Sequence, residues 1–171
     1  MKNIELKARN RRLADDVRTC RRIGARFQAL LRQRDTYFRV KDGRLKLREI
    51  GSTQAELIAY LRPDTSGARV CNYVVVPVAD PVAVRRLLAA CLGVLAEVRK
   101  TRRLYLWKGV RIHLDAVRGL GRFLEFEAVL GPRVTPACGR ARVDLLRSAF
   151  GVRTRDIVRG SYLDLEVKRR A

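Results

Sequence analysis

The chain has 171 residues and a formal net charge of +21 at pH 7, from 38 lysines and arginines against 17 aspartates and glutamates. Its hydrophobic content of 47% can build a core, and we expect a single domain over residues 1–171. No apolar run approaches the roughly 20 residues of a membrane helix and the start carries no signal-peptide pattern, so we expect a cytoplasmic protein without a membrane partner. Its oligomeric state, monomer or homodimer, is left open by the sequence.

The first half of the chain predicts mainly strands. Residues 3–9 alternate apolar with charged side chains, as a half-buried strand does. A helix over residues 14–24 interrupts this pattern, with apolar residues near one stripe and Gly24 as the stop. Further on, the sequence predicts extended structure over 27–40, a hairpin turn at 41–43, and strands over 44–50, 55–62 and 70–76.

The second half predicts more helix. Proline opens a helix over residues 81–92, and glycine follows it. The remaining predicted elements are a strand over 96–106, a hairpin over 111–130, a helix over 136–150, a helical turn within 153–158 and a last extended segment over 161–167. Strands joined mainly by turns, with helices between groups, indicate an α+β fold with a largely antiparallel sheet.

The hairpin over residues 111–130 has one charged face and one apolar face. Its first strand places Arg111, His113 and Asp115 on one side, and its second strand does the same with Glu125 and Glu127. Two arrangements satisfy this pattern. One is an open sheet with its charged face in water. The other is a closed barrel, in which helices cover the apolar outside and the charged groups line the bore.

The clustering of like charges bears on that choice. Glu125 and Glu127 lie about 7 Å apart on one strand face, as do Lys46 and Arg48 on another. Neighbouring carboxylates repel unless a cation lies between them, and clustered cations attract an anion. A bore with carboxylates on one wall and cations on the other would bind a divalent metal and a polyphosphate. The pattern alone leaves the open sheet and the barrel as alternatives.

Seven segments carry a family resemblance, and they occur in the family's order. They are N-I-E-L-K-A-R at 3–9, Q-R-D-T-Y-F-R-V at 33–40, G-R-L-K-L-R at 43–48, Y-L-R-P-D at 60–64, V-R-K-T-R at 98–102, R-I-H-L-D-A-V-R-G-L-G-R-F-L-E-F-E at 111–127 and G-S-Y-L-D-L at 160–165. The set resembles the CYTH domains of the triphosphate tunnel metalloenzymes, which include class IV adenylate cyclases and thiamine triphosphatases.

The resemblance implies an eight-stranded antiparallel β-barrel with helices packed on the outside. It also implies a bound triphosphate and either Mg²⁺ or Mn²⁺. By matching position, the implied metal ligands are Glu5, Glu125, Glu127 and Asp115, and the implied catalytic residues are Asp115 and Lys7. The implied phosphate-binding residues are Lys7, Lys46, Arg48, Arg62, Lys100, Arg102 and Arg111. One position departs from the family's E-x-E-x-K pattern, because Asn3 stands where the first glutamate is usual.

His113 shares the face of Arg111 and Asp115. It is a candidate general base, but a hydrogen-bonded residue of the wall is the commoner role for such a histidine.

Three functions follow as hypotheses. The first is a class IV adenylate cyclase-like enzyme that converts ATP to cyclic AMP and pyrophosphate. The second is a triphosphatase acting on thiamine triphosphate, tripolyphosphate or a nucleoside triphosphate. The third is a non-catalytic binder of nucleic acid or another polyanion, which the net charge allows but the motifs do not favour. Its candidate contacts are the basic clusters at residues 21–22, 85–86 and 168–170.

Overall fold

The computed structural model describes residues 2–10, 13–61, 69–131 and 134–170. The strands among them are β1 Lys2–Arg9, β2 Arg26–Phe38, β3 Arg44–Ile50, β4 Gln54–Leu61, β5 Arg69–Pro77, β6 Val94–Trp107, β7 Val110–Val117 and β8 Gly121–Leu130. The helices are α1 Leu13–Arg22, α2 Pro81–Leu92, α3 Pro136–Ala149 and α4 Tyr162–Arg170. Within the described ranges, no helix has the length and apolar character needed to cross a membrane.

The eight strands form one closed antiparallel barrel in the order β1-β5-β4-β3-β2-β6-β7-β8. Closure depends on β1, which pairs with β5 through Asn3 and Cys71 and with β8 through Glu5 and Glu127. Each strand therefore has two neighbours, and no edge is left open to solvent. This confirms the α+β barrel and excludes the open sheet.

Alternation along the strands places the apolar residues outside the barrel. Ile4 of β1 and Phe126 of β8 are fully buried against Val143 and Leu146 of α3. Burying one such side chain contributes about 2 kcal/mol. Helix α3 approaches closely at Gly139, where an added Cβ would lie 3.1 Å from Leu130 Cδ2 and 3.2 Å from Ile4 Cδ1. The helices thus cover apolar surface, and the charged residues of the same strands face the bore.

One sequence prediction is wrong. Residues 161–167 were expected to be extended, because polar and apolar residues alternate there, but α4 begins at Tyr162. Asp164 accepts a hydrogen bond from the Ser161 backbone N–H at 2.5 Å, and the Asp164 N–H lies 3.4 Å from Ser161 Oγ. This reciprocal cap satisfies two of the free N–H groups at the helix start. The S-x-x-D spacing predicts such a cap, and it outweighs the short alternation.

Helix α4 also closes one end of the barrel. Tyr162 and Leu163 pack with Val98, Val117 and Phe123, which lie at the ends of three strands. The Tyr162 and Phe123 rings meet edge to face, with centroids 5.0 Å apart. The bore therefore has an apolar floor at this end, and its polar residues lie between that floor and the opposite mouth.

Candidate active site

A polar cavity occupies the bore. Its volume is about 130 Å³, so the side chains do not fill the bore. The lining comes from seven strands and α4. Its charged members are Glu5, Lys7, Asp35, Lys46, Arg48, Lys100, Arg102, Glu125 and Glu127.

Asp35 lies at the centre of the cationic wall. Its carboxylate accepts bonds from Arg48 Nε at 2.7 Å and Nη2 at 2.9 Å. The ammonium groups of Lys100 and Lys46 lie 2.9 and 3.2 Å from Asp35 Oδ2. One carboxylate, only 1% exposed, thus holds three cationic side chains at a single point. Asp35 was not among the site residues predicted from the sequence.

Burial and crowding set the charges in this cluster. Burial alone would raise the pKa of Asp35, but Arg48, Lys100 and Lys46 hold it well below its usual value. Burial lowers the pKa of Lys46 to about 7, with Arg48 adding to the effect and Asp35 opposing it. Burial likewise lowers the pKa of Lys100 to about 8, although Asp35 counteracts part of the shift. The lysines therefore change charge near neutral pH.

Asp115 is held by two neighbours. Arg102 forms a two-point contact with it, Nε to Oδ1 at 2.7 Å and Nη2 to Oδ2 at 2.6 Å, and the Tyr162 hydroxyl donates to Oδ2 at 2.7 Å. Burial would raise the pKa of Asp115, but Arg102 and then Lys100 lower it below the usual value. Both carboxylate oxygens are occupied, so this geometry suits orientation of Arg102. The role of Asp115 as metal ligand or catalytic residue stays a prediction.

The acidic wall is formed by β1 and β8. Glu5 lies directly opposite Glu127 in the ladder, and Lys7 lies opposite Glu125, with Nζ 3.5 Å from Oε2. Burial would raise the pKa of Glu125, but the cationic Lys7 and Arg102 lower it well below its usual value. Two carboxylates directly across a strand pair repel each other, which favours a cation between Glu5 and Glu127.

His113 lies behind these carboxylates. Its Nδ1 is 3.9 Å from Glu125 Oε1 and its Nε2 is 3.9 Å from Glu127 Oε2. Burial and Arg102 lower the pKa of His113, and the two glutamates offset part of this shift. The imidazole is therefore neutral at pH 7, and its Nδ1 has no hydrogen-bond partner in the described ranges.

Asn3 contributes an oxygen to the acidic wall. Its Nδ2 donates to Glu127 Oε1 at 2.5 Å, which turns Oδ1 away from that carboxylate. Oδ1 is buried and has no hydrogen-bond partner among the residues that the structure describes. An amide oxygen beside carboxylates is a suitable ligand for Mg²⁺ or Mn²⁺. Asn3 in place of the first glutamate of E-x-E-x-K therefore keeps an oxygen that can coordinate a metal, but it carries one negative charge less.

The acidic wall by itself supplies only some of the ligands that a divalent cation needs. No three His, Cys, Asp or Glu side chains of the described chain converge as a ready metal site. Mg²⁺ commonly binds through one or two carboxylates, several waters and the phosphates of a substrate, so a complete protein cage is not required. The donor set of Asn3, Glu5, Glu125 and Glu127 meets that requirement.

The other predicted residues lie at the margin. Arg111 is on the mouth side, 3.4 Å from Glu127 Oε2, and its side chain is 48% exposed. Arg62 lies outside the described residues. The opposite side of the cavity is formed by residues that the sequence reading had not named, Ile58, Tyr60 and Tyr73. Strand parity predicts only that Ile58 and Tyr60 share a face of β4, and the ladder turns that face inward by pairing Ile58 with Lys46 and Tyr60 with Tyr73.

A closed antiparallel barrel with its ionised side chains turned into the bore defines a tunnel protein. The family model for the CYTH domain matches residues 1–162, and the chain belongs to that family. The resemblance identified from the sequence is thereby confirmed. No curated protein shows significant sequence similarity to the chain.

Solved structures share the fold at low sequence identity. The PH1012 protein from Pyrococcus horikoshii is 23% identical, with a TM-score of 0.85 over 95% of this chain and 98% of that one. A putative adenylate cyclase from Vibrio parahaemolyticus is 19% identical, with a TM-score of 0.78 over 95% and 96%. A putative adenylyl cyclase from Hippeastrum, reported to reveal a dominant triphosphatase activity, is 15% identical, with a TM-score of 0.64 over 88% of each chain.

Proposed function

We propose that the chain is a divalent-metal-dependent enzyme that acts on a triphosphate-bearing small molecule, with conversion of ATP to cyclic AMP and pyrophosphate as its first candidate reaction. One observation carries the proposal. A single cavity has a wall of lysines and arginines around Asp35 and, across from it, a wall of glutamates on β1 and β8. A phosphate chain and its cation require these two walls together.

The cationic wall would bind the phosphates. Arg48 and Arg102 use Nε and Nη2 on Asp35 and Asp115, which leaves Nη1 of each guanidinium for phosphate oxygens, whereas Lys46 and Lys100 act as point charges. Asp35 and Asp115 hold these four groups in place before the substrate arrives. Lys7 adds a further point charge from the acidic wall, where it lies beside Glu125. Because the cations are positioned in advance, little reorganisation is needed when negative charge develops on the reacting phosphate.

The acidic wall would hold the metal. Glu5, Glu125 and Glu127, with the free amide oxygen of Asn3, offer the oxygen ligands that Mg²⁺ and Mn²⁺ prefer. A bound cation of this kind supplies neutralisation of phosphate charge and polarisation of the phosphorus–oxygen bonds.

The third side of the cavity favours a substrate with an organic group. Tyr60 lies opposite Tyr73 in the ladder, and Ile58 adjoins them on the same wall. These side chains offer apolar and aromatic contact that bare tripolyphosphate cannot use, whereas the ring of a nucleotide or of thiamine can.

The nucleophile distinguishes the two candidate reactions. In the cyclase reaction the 3′-hydroxyl of ATP attacks the α-phosphorus and pyrophosphate leaves, whereas in the triphosphatase reaction water attacks the terminal phosphorus. The reported activity of the Hippeastrum protein makes hydrolysis the second candidate. Incubation with ATP and Mn²⁺, followed by chromatography, is expected to yield cyclic AMP and pyrophosphate. Phosphate and ADP would favour the hydrolase, and no turnover of any triphosphate would contradict both.

The pKa values of Lys46 and Lys100 predict that anion binding in the bore depends on pH. These pKa values are about 7 for Lys46 and about 8 for Lys100 without a bound anion, so anion affinity should fall as pH rises through this range. A bound anion raises both pKa values, so binding should take up protons. Isothermal titration calorimetry with sulfate, whose own charge is constant over this pH range, measures the affinity. Repeating it in buffers of different ionisation heat gives the number of protons taken up on binding. A Lys46→Met/Lys100→Met control should flatten the profile, and a wild-type affinity independent of pH would contradict the prediction.

A further inference from the structure

The outer face of the barrel carries a trough floored by small residues. Across four neighbouring strands, the ladder aligns Arg32 with Thr101, Thr101 with Ala116, and Ala116 with Arg122. Directly paired residues share a face of the sheet, so these four side chains form one transverse row. With neighbouring strands about 4.8 Å apart, three intervals separate the two arginine backbones by about 14 Å. We call this row and its border the arginine trough.

A second arginine row borders the first. Arg34 lies opposite Arg99, and the Arg118 N–H donates to the Arg99 carbonyl at 2.9 Å. Arg34 is paired with Glu49 at 2.6 Å, and Arg99 with Glu97 at 2.7 Å. The two rows border an open depression of about 700 Å³, whose lining shares Lys100 with the bore.

Three arginines of the trough have no counter-charge. Arg32, Arg118 and Arg122 are exposed, and no carboxylate of the described chain forms an ion pair with them. Two basic residues elsewhere are compensated, since Arg85 pairs with Glu49 at 2.7 Å and Arg169 pairs with Glu166 at 2.7 Å. The trough thus brings three uncompensated arginines together on one face.

The same face of β2 continues into exposed apolar residues. Phe27 and Leu30 are 53% and 52% exposed, and the ladder sets them opposite Tyr105 and Arg103. The Phe27 ring meets Tyr105 edge to face at 5.4 Å, which fixes its position. From Phe27 to Arg32 the strand extends about 16 Å, a distance that a few nucleotides can span.

We propose that the arginine trough is a binding site for single-stranded nucleic acid. Its phosphodiester chain crosses the floor at Thr101 and Ala116 between Arg32 and Arg122, and its bases lie against Phe27 and Leu30. Guanidinium forks match phosphate oxygens, and an aromatic ring offers a stacking surface that any base can use. A duplex fits less well, because its bases are already stacked and paired.

The test uses a single-stranded oligouridylate of about 12 nucleotides with a 5′-hydroxyl and a fluorophore at its 3′ end, so that no triphosphate is offered to the bore. Fluorescence anisotropy between about 50 and 200 mM salt gives the affinity and its salt dependence. We expect Arg32→Gln/Arg122→Gln to weaken binding and to reduce the slope of log affinity against log salt by about 1.4, because two phosphate contacts are lost. Phe27→Ala should weaken binding about tenfold without changing the slope.

The matched control is Arg86→Gln/Arg140→Gln, which removes the same charge from exposed positions of α2 and α3. The control should bind nearly as wild type, and both double variants should keep wild-type thermal unfolding and sulfate binding in the bore. Equal losses in the two variants would mean attraction by net charge alone and would overturn the proposal. Tighter binding of a duplex of equal length would also overturn the proposal. So would tighter binding of inorganic polyphosphate, if Phe27→Ala also bound the oligouridylate with wild-type affinity.

Discussion

Asp35→Asn is expected to lower the free energy of unfolding by about 3–5 kcal/mol, because it leaves buried cations without their counter-charge. Asp35 is 1% exposed and is the shared partner of Lys46, Arg48 and Lys100. Asparagine preserves the shape of the side chain and removes only its charge. Urea denaturation at pH 7 measures the loss, and the exposed Asp144 of α3, replaced in the same way, is the control.

Two further measurements connect this loss to the charges. Adding Arg48→Met to Asp35→Asn removes the stranded cation that cannot lose its proton at pH 7, so part of the lost stability should return. Sulfate should raise the melting temperature of Asp35→Asn more than that of the wild type, because the anion takes the place of the carboxylate. If Asp35→Asn unfolded at the wild-type urea concentration, the cluster would not be an electrostatic unit.

Local alternation was sufficient to predict which residues share one face of the sheet. Lys46 and Arg48 on β3, and Glu125 and Glu127 on β8, follow from a period of two that any strand imposes. Barrel closure could not be predicted from the same pattern. It depends on Glu5 meeting both Arg69 and Glu127, residues far along the chain whose register no single sequence reveals. Only the family resemblance selected the barrel.

The cluster around Asp35 shows a second limit. Asp35 lies inside the segment Q-R-D-T-Y-F-R-V and has the parity of Tyr37, so its inward direction was open to prediction. Its role depends on partners 11, 13 and 65 residues away, brought together by β3 and β6 on either side of β2. Such a role emerges only from strand order. The arginine trough likewise depends on the register of four strands.

The largest effect on activity is expected from Glu127→Gln. The substitution keeps the size of the side chain and an oxygen that can accept the Asn3 hydrogen bond, but it removes one charge from the acidic wall. If this wall binds the cation, turnover of the preferred triphosphate should fall about 100-fold or more. Lys7→Ala should also abolish turnover, because it removes a cation that faces the same cavity.

Stability should change much less than turnover. Burial and the neighbouring Glu125 oppose ionisation of Glu127, but Arg111 and the Asn3 hydrogen bond outweigh them and hold its pKa below the usual value. Because the ionised carboxylate is therefore slightly favoured by the fold, the melting temperature should fall only a little when its charge is removed. Mn²⁺ binding, measured by electron paramagnetic resonance without substrate, should weaken in parallel with turnover. Glu97→Gln, on the outer face of β6, is the matched control and should leave both unchanged. Wild-type turnover in Glu127→Gln would remove the acidic wall from the mechanism, and lost turnover with unchanged Mn²⁺ affinity would assign Glu127 to the substrate instead of the metal.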